Sequence, residues 1–358
     1  RGVEFSFTEP YFMDYRLSGG FDLFAKQSRN MPYSVYDSQT VGGTLRLGVP
    51  VTDEISFSPR YSLFQSKITI PNTLAKPYND CTVDIGAVTG TITETNSCLA
   101  NFEASLAVKE SAGTRLTSQV GYSLSYNTLD NPRNPTQGVY GELRQDIAGA
   151  GGDARFVKTT AEGRYFHPIW DDVVGFAKIQ GGNVTAYGGT TLRITENFNL
   201  GPSLVRGFAP GGIGPRDMSA GMNNRIASLG GTNFVGGSVE LQFPFFGVPK
   251  DLGLKAAVFA DAGTLFGYKG TTNFATLAGY SAGTPCAAMP GNSPTTNPQY
   301  RQAGCITLDD SSKIRSSVGA SLLWSSPLGP IRFDYAFVLT KAQNDVGQAF
   351  RFSGGGSF

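Results

Sequence analysis

The sequence predicts an all-β fold, a transmembrane antiparallel β-barrel, on three observations: residue alternation at period two, sparse charge, and connections that alternate between short and long. Segment after segment sets apolar residues on one parity and polar residues on the other, the pattern of strands with two unlike faces. Charged residues are 16% of the 358-residue chain, against roughly 25% in soluble domains, which suits a surface that meets lipid. Its 46 glycines suit many tight turns. No apolar run is long enough for a transmembrane helix. A net charge of +1 gives no electrostatic reason to expect nucleic acid.

About thirteen strands are expected, starting near residues 1, 15, 38, 55, 114, 137, 154, 173, 232, 253, 315, 329 and 347. In Thr40–Val49, Val41, Leu45, Leu47 and Val49 oppose Thr40, Thr44 and Arg46. In Ile55–Gln65, Ile55, Phe57, Tyr61 and Leu63 oppose Ser56, Ser58, Arg60 and Ser62. In Arg115–Tyr126, Leu116, Val120, Tyr122, Leu124 and Tyr126 oppose Arg115, Thr117, Gln119, Ser123 and Ser125. The polar parity carries full charges strand after strand, among them Arg46, Arg60, Glu142, Arg144, Lys158, Glu162, Glu240, Asp261, Arg332 and Asp334. A charged face is equally the solvent face of a soluble sandwich, so parity alone leaves both folds open.

The connections separate them. One set is short and contains proline: Pro10, Pro50, Pro132 with Pro135, Pro168, Pro244 with Pro249, and Pro327. The other includes long excursions at about 67–113, 188–231 and 267–314. Short turns at one end and long loops outside the cell are how outer-membrane barrels are built. The last segment, Ala349–Phe358, puts Phe350, Phe352 and Phe358 on one parity and Arg351, Ser353 and Ser357 on the other. It resembles the closing strand of bacterial outer-membrane barrels. Gly354, Gly355 and Gly356 within it offer no side chains to pack, so pairing there is expected to be weak. An odd strand count places the start of the first strand outside the cell. The chain is therefore expected to be a fragment of a barrel, lacking an odd number of upstream strands.

Catalytic chemistry is not expected. His167, the single histidine, precedes Pro168 at an expected turn and reads as a solvated turn residue. No phosphate-binding loop or paired-histidine zinc motif occurs, and neither a metal nor another cofactor is expected. Cys81 with Cys98, and Cys286 with Cys305, form two local pairs inside long polar segments and read as disulfides from an oxidising compartment. Free thiols are the plainer alternative.

A distinctive run remains: Val205-Arg206-Gly207-Phe208, followed by Gly211-Gly212-Ile213-Gly214-Pro215-Arg216. With Thr8-Glu9-Pro10-Tyr11-Phe12, Glu240 in Val239–Phe243, Asp261 in Phe259–Gly263 and Trp324–Pro330, it resembles the outer-membrane protein assembly factor BamA and its superfamily, in order along the chain. The resemblance implies the family's sixth extracellular loop, folded into the lumen, with Val205, Arg206, Gly207 and Phe208 anchored on Glu240 and Asp261. It also implies a seam strand formed by Phe350, Phe352, Gly354, Gly355, Gly356 and Phe358. Arg1–Glu9 resembles the family's fourth strand, so about sixteen strands are expected in the complete barrel, with upstream POTRA domains absent here. Unfolded outer-membrane barrel proteins, accessory lipoproteins held by POTRA domains, and outer-membrane lipid are the implied partners. A dedicated protein-translocation transporter of the same superfamily and a passive porin are the alternatives. Without the resemblance, Arg206 reads as a mobile surface cation.

Overall fold

The computed structural model describes residues 1–28, 36–70, 72–73, 76–77, 104–132, 134–218, 228–245, 247, 252–274, 281, 283–285, 305–326 and 329–354. One antiparallel sheet holds thirteen strands: β1 (Gly2–Glu9), β2 (Ser18–Ser28), β3 (Asp37–Pro50), β4 (Ile55–Thr69), β5 (Gly113–Asn127), β6 (Gly138–Gly152), β7 (Phe156–Trp170), β8 (Val173–Ala186), β9 (Asn233–Pro244), β10 (Leu254–Phe266), β11 (Arg315–Ser326), β12 (Gly329–Thr340) and β13 (Phe350–Gly354). Spatial order follows chain order with no crossover, as in an up-and-down barrel. The observed starts track the expected ones closely; the widest offsets are Ser18 against 15 and Phe350 against 347. Among the described residues the sheet is open rather than closed, with β1 and β13 as its two edges.

Exposure separates the barrel from the sandwich. Leu45, Val239 and Phe337 are 61%, 58% and 60% exposed on the outer parity. On the inner parity Asp146, Glu240, Asp261 and Asp334 are buried. Charges inside and bare aliphatics outside invert the soluble pattern and match a wall with lipid on its convex side. At the end of the sheet with the short turns, Tyr11, Tyr15, Trp170 and Phe245 are exposed, where amphipathic rings suit the membrane–water interface.

The turn expected at His167-Pro168 lies further on, at Asp171-Asp172, with Asp172 at φ 65°. His167 is a strand residue of β7, opposite Gly175 and stacked on Tyr165 at 6.0 Å, not a turn residue. Pro168 pairs with Val174 beside a register shift, the kind of irregularity that tolerates a residue with no N–H to donate.

The long connections form a second, loop-built core. Ile68, Leu106, Ala107, Val108, Ile194, Leu229, Phe274 and Ile306 are packed together there. A short helix, α1 (Leu106–Glu110), supplies three of them and is capped by Ser105, whose hydroxyl accepts from Ala107 N at 3.3 Å. The same hydroxyl donates to Asp217 at 2.6 Å, and Arg216-Asp217 pairs with Leu308-Asp309. The described parts of the three long connections are thereby stitched together.

Candidate functional site

The connection between β8 and β9 carries the Val-Arg-Gly-Phe tetrad and turns sharply just before it, where the N–H groups of Leu204 and Val205 both donate to Gly201 O at 3.0 Å. Val205 and Phe208 are fully buried with Phe156, Val184, Phe198, Ile213 and Leu265, so the tetrad packs against the concave face of the sheet. Gly207 sits at φ +94°, and a Cβ there would stand 3.1 Å from Val338 Cγ2 and 3.2 Å from Ala336 Cβ. Gly207→Ala should therefore loosen the loop by about 1–3 kcal/mol, read as faster proteolysis within 188–231 and an unchanged sheet.

Arg206 reaches into a cage of side chains from β9, β10 and β12 on the same inner wall. Its Nε and Nη2 donate to the two oxygens of Asp261, each at 2.7 Å, a bidentate fork. Its Nη1 donates to Glu240 at 2.6 Å and its Nη2 to Ser238 at 2.8 Å. Even the Arg206 backbone N–H donates to Asp261, at 2.9 Å. The guanidinium lies over the Phe259 ring, 3.5 Å from its centroid. Side-chain exposure is 11% for Arg206, 1% for Glu240 and 3% for Asp261, so water screens little of this pairing. Burial alone would lower the Arg206 pKa, yet the Asp261 and Glu240 carboxylates outweigh it and hold it above the ordinary arginine value.

Both acids named from the sequence thus meet Arg206 at once. The sequence reading did not name a second cation in the cage. Arg332 donates to Glu240 at 2.6 Å, to Asp334 at 2.7 Å and to Ser321 at 2.9 Å. Asp334 also stands 4.0 Å from Arg206. Shared parity on β12 was the available signal for both residues. A separate contact holds the start of the same loop: Arg115 pairs with Glu196 at 3.1 Å, and Lys158 donates to Glu196 O and lies over Phe198. Nothing in the local pattern singles out Glu196 or Phe198.

On the edge strand β13, Phe350 and Phe352 face outward beside Phe333, with ring centroids 6.5 and 5.2 Å away. Gly354 ends β13; Gly355, Gly356 and Phe358 lie outside the described residues. Cys305 is disulfide-bonded, and Cys81, Cys98 and Cys286 lie outside the described residues.

The Omp85 superfamily domain matches residues 1–358. The outer membrane protein assembly factor BamA of Neorickettsia risticii is 28% identical over 347 residues, covering 97% of this chain and 38% of that protein. BamA of Neisseria meningitidis serogroup B is 28% identical over 366 residues, covering 99% of this chain and 41% of its own length. The chain therefore spans about two fifths of these relatives. The crystal structure of BamA from Haemophilus ducreyi lacking POTRA domains 1-3 superposes with a TM-score of 0.67 at 20% identity, over 98% of this chain and 61% of that one. That similarity carries the fold. With the outward apolar parity, these matches place the chain in a bacterial outer membrane as an integral protein. An end-to-end domain match and relatives aligned over nearly the whole chain lead to one conclusion: the chain belongs to the Omp85 superfamily.

Proposed function

We propose that this chain is the barrel of a BamA-type machine that folds and inserts β-barrel proteins into the outer membrane through a lateral seam, without ATP. The observation that carries this reading is the Arg206 cage, a buried charge lock that fixes the luminal loop against β9, β10 and β12. The proposed seam strand is β13, which makes five residue pairs with β12 among the described residues and ends them at a glycine, Gly354. A weakly held edge strand exposes unpaired N–H and C=O groups that an incoming strand can match. The free energy would come from the client's own strand pairing and the burial of its apolar face in lipid. Unfolded barrel proteins are the proposed clients, and accessory lipoproteins bound to upstream POTRA domains the proposed assistants.

The loop-built core, with Val205 and Phe208 packed against the inner wall, disfavours a passive porin. We expect low steady conductance from the complete protein in planar bilayers. The deciding experiment is refolding of an unfolded client barrel into liposomes that contain the complete protein, wild type or Arg206→Ala. Faster folding with wild type that falls with the variant supports the machine. No acceleration together with a large steady conductance would replace it with a porin. Acceleration confined to a single dedicated client would favour a translocation transporter.

A further inference from the structure

The outer end of β13 is tied down by contacts that the Arg206 cage does not include. The connection between β12 and β13, residues 341–349, runs antiparallel to the luminal loop just past the tetrad. Ala209 N donates to Val346 O at 2.9 Å, Val346 N to Gly212 O at 2.9 Å and Gln348 N to Gly207 O at 2.8 Å. Phe208 and Gly347 form an antiparallel bridge within this stretch. The two loops thus share a short ladder of backbone bonds, and one of them leads straight into the edge strand.

A buried ion pair reinforces the ladder. Asp345 accepts from Arg315 Nε at 2.9 Å and Nη2 at 3.2 Å, with side-chain exposures of 2% and 1%. Its Oδ2 also accepts from Ala342 N at 2.6 Å, which folds the connection around the carboxylate. Arg315 is fixed in turn by Thr264 Oγ1 and by the carbonyls of Ser311 and Lys313. Asn344 donates to Asp309 at 2.6 Å, adding the β10–β11 loop to the assembly. The strand that follows begins at Phe350, directly after the ladder, so these contacts bear on its outer end.

We infer that Asp345 and Arg315 are positioning residues that, with the 346–348 ladder, latch the outer end of the edge strand to the luminal loop. The inference rests on the proposed seam. Its consequence is directional: the outer end of β13 stays fixed while its periplasmic end, at Gly354, moves, so an incoming strand engages the periplasmic end first. The latch also couples the seam to Arg206, because any displacement of the luminal loop pulls on Val346 and Gln348.

Two variants address different halves of the latch. Asp345→Asn removes the charge opposite Arg315 while keeping an acceptor for Ala342 N. Gly212→Ala leaves the ion pair intact but puts a Cβ 2.5 Å from Val346 O and 2.6 Å from Ala209 O, which forces the ladder apart. Amide hydrogen exchange on the complete protein in lipid nanodiscs reads the result. Both variants should speed exchange at Ala209, Val346, Gln348 and along β13 by about tenfold or more, with β5–β8 unchanged. Unchanged exchange at those amides, or a uniform rise across the whole sheet, would overturn the latch. Client refolding measured on the same samples is judged separately. If wild type fails to accelerate it, the insertion reading falls, whereas the exchange pattern alone decides the latch.

Discussion

Arg206→Ala is expected to release the luminal loop while leaving the sheet folded. The substitution leaves Glu240 paired with Arg332 at 2.6 Å, so that carboxylate keeps a cation. Asp261 fares worse: it loses both guanidinium bonds and retains only Ser238 Oγ and the residue-206 backbone N–H as donors. Removing one partner of a buried pair costs about 3–5 kcal/mol because the remaining charge is stranded. At about 1.4 kcal/mol per factor of ten, the undocked population should rise on the order of a hundredfold to a thousandfold. Protease nicking within 188–231 on intact liposomes measures it. The same account makes a sharper demand. Arg206→Ala combined with Asp261→Asn should be less damaging than Arg206→Ala alone, because the stranded charge is gone. A double variant as loose as the sum of its parts would mean that Asp261 does not depend on Arg206.

The strands were legible in the sequence because a strand's side-chain period is two, so each residue number fixes a face once the segment is recognised. Glu240, Asp261, Arg332 and Asp334 were therefore known to share the inner wall. Which of them meet Arg206 depends on register across four strands: Ser238 opposite Asp261, Glu240 opposite Phe259, Ser321 opposite Asp334. That offset is set by turns and bulges far from the tetrad, so residues 205–208 and the strand patterns alone could not supply Arg332. Pro168 misled for a local reason: proline usually closes a strand, and here a register shift lets the strand run past it. Asp345 gave no signal either, since an aspartate in a polar connection reads as solvated until Arg315 is brought against it from another strand.

Phe208→Ala should rival Arg206→Ala although it removes no charge. Phe208 is 1% exposed and packed with Val205, Ile213, Leu265 and Phe156, so truncation leaves a cavity that the rigid inner wall fills poorly. Large-to-small changes of this kind cost about 3–5 kcal/mol. The two residues flank Gly207 and act through different contacts, one through an apolar cluster and one through the cage. Salt tells them apart little, because both sites are screened from water; additivity tells them apart well. If the loop docks as one body, either substitution alone already populates the undocked state, and the second removes contacts that the state no longer makes. The double variant should then be scarcely more protease-sensitive than the worse single one. Full additivity would mean that Phe208 and Arg206 hold separately moving pieces, and a displacement of the cage would no longer reach the edge strand through Gly207.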